Sequence, residues 1–208
     1  MILTRSMSFL FCVLIRRLTP SIQKDWELLA TKLHEVSVYQ HMPSKLIGLL
    51  VAAEDHRFNF HNGVDFRSIV RAFWKTVFHK KRQGGSTIAM QLVRVLTERY
   101  EYTLSRKITE MYCALMLEHY LTKQEQANIY LSLAYFGWDM VGVTQACQRL
   151  SYNFQSLTIP QMAGIIARLK YPEPRKESAI KTKKIILRSE YILKRYRKLR
   201  LSPDYGWI

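Results

Sequence analysis

The chain has 208 residues, of which 48% are hydrophobic and 23% charged, a globular composition that excludes an intrinsically disordered protein. This length suits one domain with enough residues to bury a core. The formal net charge of +16, from 32 Lys and Arg against 16 Asp and Glu, predicts an anionic partner, which is nucleic acid, an acidic membrane surface or a phosphate-bearing substrate.

The N-terminal segment is apolar and flanked by arginines. Residues 8–15 form an apolar run, with Arg5 before it and Arg16 and Arg17 after it. The run is about half as long as the roughly 20 residues of a membrane-spanning helix. A membrane-dipping anchor, the remnant of a longer span and a core segment stay open, and the arginines favour the first two. The predicted organisation is a short N-terminal anchor segment at 1–20, one domain at 21–200 and a tail at 201–208.

Three cysteines, Cys12, Cys113 and Cys147, show no metal-ligand spacing. Their odd number argues against a full disulfide framework, and a single bridge between Cys113 and Cys147 stays open. Cys113 falls in an apolar helical run, so it is predicted to be a core residue.

Helical periodicity along the whole chain predicts an all-α fold. Start and stop signals, including a Thr122-x-x-Glu125 capping box, predict helices near 21–36, 43–53, 66–77, 88–96, 106–120, 123–133, 143–150, 158–170 and 178–200. Residues 135–142 are predicted to be a loop. Two helices have predicted apolar faces, formed by Phe66, Ile69, Val70, Phe73 and Val77 in one and by Ile108, Met111, Tyr112, Leu115 and His119 in the other.

Two adjacent carboxylates, Glu54 and Asp55, directly follow an apolar run at 46–53. An acid at the end of a buried segment can face a cleft, where a carboxyl group can serve as a general acid or base. For an isolated Glu-Asp pair, however, a solvated helix end is the simpler interpretation. Arg57, His61 and Asp65 follow closely in the sequence.

A second candidate site is the sequence Gly84-Gly85-Ser86-Thr87 before a predicted helix. Glycines and a helix N-terminus can bind an anion such as phosphate through backbone N–H groups. The stretch is not a P-loop, because the Gly-Lys-Ser/Thr ending is missing. A plain loop with a serine cap is the alternative.

Four motifs in order resemble the signatures of glycosyltransferase family 51, the peptidoglycan transglycosylases. The first runs from Glu54 to Asp65. The other three are carried by Gly84 to Arg94, by Arg106 to Glu118, and by Lys123 to Gly142. The resemblance extends from about residue 40 to about residue 190, and the length matches the monofunctional type.

This resemblance implies a lysozyme-like helical domain on the outer face of the bacterial inner (cytoplasmic) membrane. The implied reaction polymerises lipid II into β-1,4 glycan strands with inversion and releases undecaprenyl diphosphate. Glu54 would be the general base and Glu110 the second catalytic acid. The residues implied to bind substrate are Asp55, Arg57, His61, Ser86, Thr87, Gln91, Arg94, Arg106 and Lys107.

The implied partners are lipid II, the growing glycan strand, an anionic membrane surface and other cell-wall synthesis proteins, with no nucleic acid. No cofactor is fixed by the sequence, and a Mg²⁺ or Mn²⁺ ion at the diphosphate stays open. No metal-binding residues are assigned, because His56 and His61 have no convincingly spaced third ligand.

Several positions depart from the family pattern: His56, Asn59, Met90, Arg94, Tyr102 and Ser132. These departures motivate an alternative function, a non-catalytic module of the same fold that binds glycan, lipid II or a partner protein. A lysozyme-type hydrolase shares the fold and is a further alternative. Nucleic-acid binding is disfavoured, because aromatic residues are not interleaved with the basic runs.

Overall fold

The structure of the protein is a computed structural model that describes residues 21–36, 39–79 and 84–201. The described chain is mostly helical, which confirms the predicted all-α class. The helices are α1 (Ser21–Glu35), α2 (Ser44–Glu54), α3 (Phe66–His79), α4 (Ile88–Thr97), α5 (Leu104–Tyr120), α6 (Lys123–Leu133), α7 (Gly142–Arg149), α8 (Ile159–Ala167) and α9 (Ala179–Arg200), with 3₁₀ turns at Phe58–Phe60 and Phe154–Ser156.

The predicted anchor at residues 8–15 and residues 202–208 of the predicted tail lie outside the described residues. Within the described ranges, none of the helices combines the length and the apolar character needed to cross a bilayer.

The described residues divide into two compact units, each built from two separate stretches of chain. The first unit contains the described residues up to 36 and Arg57–Gln126. The second contains Tyr39–His56 and the described residues from Ala127 onward. The helix α6 begins in the first unit and ends in the second.

In the first unit, α1, α4 and α5 pack against one another. The buried side of α5 differs from the predicted apolar face, because His119 is exposed while Thr109, Cys113 and Leu117 are buried. The reason is that α5 also buries Arg106 and Glu110, which satisfy each other through ion pairing. Periodicity of apolar residues could not detect an inward-facing polar pair.

In the second unit, α2, α8 and α9 pack against one another. Every residue of α2 from Leu46 to Ala53 is buried. A helix that is apolar on all sides must be surrounded by protein, so α2 is the central element of this unit. Its start follows Pro43, as predicted.

The predicted loop at 135–142 contains a short β-hairpin. The strands β1 (Tyr135–Gly137) and β2 (Met140–Val141) are antiparallel, with Tyr135 opposite Val141. Asp139 adopts a positive φ of 58° at the turn. Strands of two or three residues are too short to show an alternating pattern, so the sequence predicts only a loop here.

Side-chain caps confirm several predicted helix starts. The Asp65 carboxylate accepts a hydrogen bond from the Ser68 backbone N–H at 3.2 Å before α3. Thr122 and Glu125 form the predicted capping box at α6. Among the cysteines, Cys113 and Cys147 are buried thiols that are not in a disulfide.

The predicted apolar face of α3 is largely exposed. Phe66, Val70 and Phe73 expose 46%, 66% and 67% of their surface, and Trp74 and Phe78 are also exposed with their rings 4.1 Å apart. The side chain of Val77 lies outside those described. The basic residues Arg67, Arg71 and Lys75 are exposed on the same helix. An apolar patch of this kind on a globular protein indicates a binding surface.

Gly63 lies in a loop of the first unit that contacts both α4 and α5. Its φ of +76° lies in the left-handed region, and a Cβ at this position would lie 2.1 Å from the carbonyl oxygen of Ala114 in α5. Its own carbonyl accepts a hydrogen bond from the hydroxyl of Thr87, the residue that caps α4. Gly63 therefore fixes the approach of its loop to both helices.

We expect Gly63→Ala to lower the free energy of unfolding by about 3 kcal/mol, because the methyl group adds both backbone strain and overlap with α5. Thermal or denaturant unfolding measures the change. Gly84→Ala is the matched control, since a Cβ there meets no atom within 4 Å. Equal stability of Gly63→Ala and the wild type would contradict this account.

Candidate active site

Glu54 is the last residue of α2, in the second unit. The helix brings the chain out of the core at this point, because the eight preceding residues are buried. The side chain of Glu54 is 20% exposed to solvent. A carboxylate in this position is accessible to a substrate while its backbone is fixed by the core.

The Glu54 carboxylate is paired with Arg188 of α9. The Arg188 Nη2 atom donates hydrogen bonds to Glu54 Oε1 at 3.0 Å and to the Ala53 carbonyl oxygen at 2.9 Å. The Arg188 side chain is 13% exposed. The two residues are 134 positions apart in the sequence, so no local spacing could reveal this pair.

Asp55, Arg57 and His61 each contact other parts of the chain. Asp55 is buried and its backbone N–H closes the last turn of α2 on Val51. Arg57 lies 3.1 Å from the Asp65 carboxylate. The carbonyl of His61 accepts a hydrogen bond from Lys123 Nζ at 2.8 Å.

The Asp65 carboxylate has a pKa below its usual value. Burial alone would raise the pKa of this group, but the hydrogen bonds from Ser68 and the charges of Arg57 and His61 outweigh that effect. Asp65 is therefore ionised near neutral pH, and it holds the start of α3 and the side chain of Arg57 together.

Glu110 is the centre of a basic cluster in the first unit. Its carboxylate, which is 3% exposed, accepts hydrogen bonds from Arg94 Nε at 2.7 Å, from Lys107 Nζ at 3.3 Å, and from Arg106 Nη1. Arg106 and Lys107 come from the same helix as Glu110, and Arg94 comes from α4. Three cations surround one carboxylate, so the cluster has an excess of positive charge.

Ser86 joins the same cluster from the loop before α4. Its hydroxyl oxygen accepts a hydrogen bond from Lys107 Nζ at 2.8 Å. Burial lowers the pKa of the Lys107 ammonium, and the nearby guanidinium groups of Arg94 and Arg106 lower it further, while Glu110 opposes them. Contact with a further negative charge would therefore stabilise the protonated form of Lys107.

Two other predicted substrate-binding residues lie at the start of α4. Thr87 is buried and caps the helix, since its hydroxyl oxygen accepts the Met90 N–H at 3.2 Å. Gln91 lies one turn further along, with its backbone N–H bonded to the Thr87 carbonyl. The structure thus brings together Ser86, Arg94, Arg106, Lys107 and Glu110. The substrate-binding roles of these residues, like those of Thr87 and Gln91, stay predictions.

The positions that depart from the family pattern differ in their surroundings. Met90 is fully buried in α4, where an apolar side chain is well suited. The Ser132 hydroxyl bonds to the Asn128 carbonyl at 2.9 Å within α6. Tyr102 is fully exposed, in the loop before α5. None of these three substitutions removes a member of the Glu110 cluster or the Glu54–Arg188 pair.

A divalent cation does not fit the Glu110 cluster well. Among the residues that the structure describes, no group of three or more His, Cys, Asp or Glu side chains could hold a metal ion. Glu110 itself is already surrounded by three positive charges, which would repel a metal ion. We therefore derive no catalytic step through a metal, and a metal at the diphosphate stays a prediction.

The arrangement supports two kinds of chemistry. A partly exposed carboxylate at Glu54 can accept a proton from a bound hydroxyl group. The cluster around Glu110 offers ammonium and guanidinium donors, which bind phosphate groups strongly and stabilise a leaving group that develops negative charge.

Comparison with known proteins agrees with the motifs. The family model described as transglycosylase matches residues 24–197. Penicillin-binding protein 1A of Rickettsia typhi is 33% identical over 171 residues, covering 76% of this chain and 22% of the relative. Penicillin-binding protein 1A of Escherichia coli is 38% identical over 133 residues, covering 63% of this chain and 16% of the relative.

Penicillin-binding protein 4 of Bacillus subtilis is similar too, at 38% identity over 131 residues, with 62% of this chain and 21% of the relative covered. The chain thus spans about a fifth of the length of these relatives. Because the family model covers most of the chain, the protein belongs to the transglycosylase family, the peptidoglycan glycosyltransferases of family 51.

Proposed function

We propose that the protein polymerises lipid II into β-1,4 glycan strands, with inversion at the anomeric carbon and release of undecaprenyl diphosphate. The observation that carries this proposal is the basic cluster around Glu110, formed by residues of two family motifs. A cluster with three cations and one carboxylate suits the diphosphate of a lipid-linked sugar donor.

In the proposed reaction, the 4-hydroxyl oxygen of the acceptor sugar attacks the anomeric carbon of the donor. The bond from that carbon to the diphosphate breaks, and the diphosphate leaves as an anion. Glu54 takes the proton of the attacking hydroxyl group. An inverting displacement needs such a base on the face opposite the leaving group, by analogy with inverting glycosidases.

The basic residues would act on the leaving group. Arg94, Arg106 and Lys107 provide N–H donors whose attraction grows as negative charge develops on the diphosphate oxygens. Glu110 holds these donors in fixed positions and offsets part of their mutual repulsion. The donors therefore need little rearrangement when the substrate binds.

The exposed face of α3 supports a membrane surface as a partner. Phe73 and Trp74 present large apolar surfaces, and Arg67, Arg71 and Lys75 provide positive charge on the same helix. Aromatic rings that enter the headgroup region, together with basic side chains attracted to anionic lipids, are typical of interfacial helices. We infer that α3 docks on the outer face of the cytoplasmic membrane, where lipid II is available.

Glu54→Gln should lower kcat for polymerisation of labelled lipid II by at least about 100-fold, because an amide cannot accept the proton. Glu110→Gln should also abolish polymer formation, because it leaves three cations without their counter-charge. Gel analysis of the products measures both. The control is Glu177→Gln, which removes an exposed acid.

Wild-type turnover in the Glu54→Gln variant would remove Glu54 from its role as general base. A folded wild type that binds lipid II without making polymer would instead favour the alternative function, a non-catalytic binding module. Release of reducing ends from finished peptidoglycan would favour a hydrolase.

The alkaline side of the pH profile should depend on Lys107. Because burial lowers its pKa, the ammonium loses its proton at a lower pH than an ordinary lysine, and the attraction for diphosphate falls as pH rises. Lys107→Arg keeps the charge. We expect its kcat/KM to persist to higher pH than that of the wild type, with Lys198→Arg, at an exposed position, as the control. Alkaline limbs that fall at the same pH in Lys107→Arg and in the wild type would contradict this role of Lys107.

Binding to lipid vesicles should depend on α3. Phe73→Ser combined with Trp74→Ser should weaken binding to vesicles with anionic lipid by at least about 10-fold, since burial of each ring contributes roughly 1.5–3 kcal/mol. Flotation measures the bound fraction. Tyr135→Ser removes an equally exposed ring from the β-hairpin and should leave binding unchanged. Equal loss in both variants would contradict a specific role for α3.

A further inference from the structure

Arg188 forms an ion pair with Glu54, and none of the four motifs assigns a role to Arg188. One guanidinium nitrogen bridges the Glu54 carboxylate at 3.0 Å and the Ala53 carbonyl oxygen at 2.9 Å. Both side chains are largely shielded, so water screens their attraction less than it would on an open surface.

Glu54 stands in an unfavourable place for a carboxylate. It is the last residue of α2, where unpaired carbonyl groups give the helix end a partial negative charge. A negative side chain there is repelled by its own helix. Arg188 compensates both groups at once, because it binds a terminal carbonyl and the carboxylate through the same nitrogen.

Arg188 is itself held in place. It projects from α9, which packs on α2 and buries Ile185 and Ile192 on either side of it. Its guanidinium lies 5.1 Å from the ring of Tyr191, and Arg195 Nη1 donates a hydrogen bond to the Tyr191 hydroxyl at 3.0 Å. The cation therefore has a fixed position relative to the end of α2.

The helices packed on α2 carry few other charges beside Arg188. The helix α8 has no titratable side chain between Ile159 and Ala167. On α9, Lys184 lies about one turn before Arg188 and is exposed, and Arg195 lies about two turns after it. Asp55 and His56 are the chain neighbours. Arg188 is the cation that directly contacts the carboxylate in the described structure.

We propose that Arg188 is a positioning residue that holds the Glu54 carboxylate in the orientation for proton abstraction. This inference rests on the proposed function, in which Glu54 is the general base. A base must be correctly placed before the acceptor hydroxyl arrives, and a fixed neighbouring cation that binds one of its oxygens provides that placement.

The kinetic test measures kcat and KM separately for lipid II polymerisation. Arg188→Met should lower kcat by about 10- to 100-fold and leave KM nearly unchanged, because Arg188 orients the base and does not bind the substrate in this proposal. Arg188→Lys keeps the charge, so it should recover part of the rate. Lys198→Met removes an exposed cation from the same helix and should leave both constants unchanged.

An Arg188→Met variant with the wild-type kcat would overturn the role of Arg188 while leaving the proposed function intact. A wild type that makes no polymer would overturn the proposed function itself and the catalytic part of this inference with it. The two failures are therefore distinguishable in one set of assays.

A second measurement tests the ion pair without relying on catalysis. The Tm values of Arg188→Met, Glu54→Gln and the double variant form a cycle. We expect the two single changes to be non-additive, because each removes the same contact, whereas Arg188→Met and Glu177→Gln should be additive. Additive Tm shifts for Arg188→Met and Glu54→Gln would overturn the pairing on which the proposal depends.

Discussion

The electrostatic balance around Glu110 is the constraint on which the first unit depends. Arg94, Arg106 and Lys107 could not be held together in a largely buried place without a negative charge between them, because desolvated cations repel one another strongly. One carboxylate reduces that repulsion but leaves an excess of positive charge. The balance explains why α5 turns a polar row toward the interior, and why the cluster suits an anionic group.

In the second unit a pair of opposite charges lies at the end of a buried helix. The central helix α2 is surrounded by protein from Leu46 to Ala53, and the first position at which it can offer a functional group is its end. Glu54 occupies that position, and Arg188 from α9 compensates its charge. The packing of α8 and α9 on α2 thus contributes directly to the position of one carboxylate.

Polar side chains in this protein also define local structure. Asp65 and Thr87 each cap a helix, and the Thr87 hydroxyl donates to the carbonyl of Gly63. These residues belong to the same motifs as the candidate functional groups. In this chain the motifs that contain Asp65 and Thr87 therefore combine residues that maintain the backbone with candidates for substrate binding, and spacing alone does not separate the two.

The sequence by itself determined the helical class, most helix starts and the family, because capping residues, apolar periodicity and ordered motifs are local properties of the chain. It also predicted Glu54, Glu110 and the basic residues of the second and third motifs as candidate site residues. Only the tertiary structure decided the burial of polar residues on α5, the β-hairpin at Tyr135, the exposure of Phe73 and Trp74, and the contact between Arg188 and Glu54. Each of these features depends on contacts between distant residues or on which face of a helix is buried. Local spacing in the sequence reveals neither such contacts nor such burial.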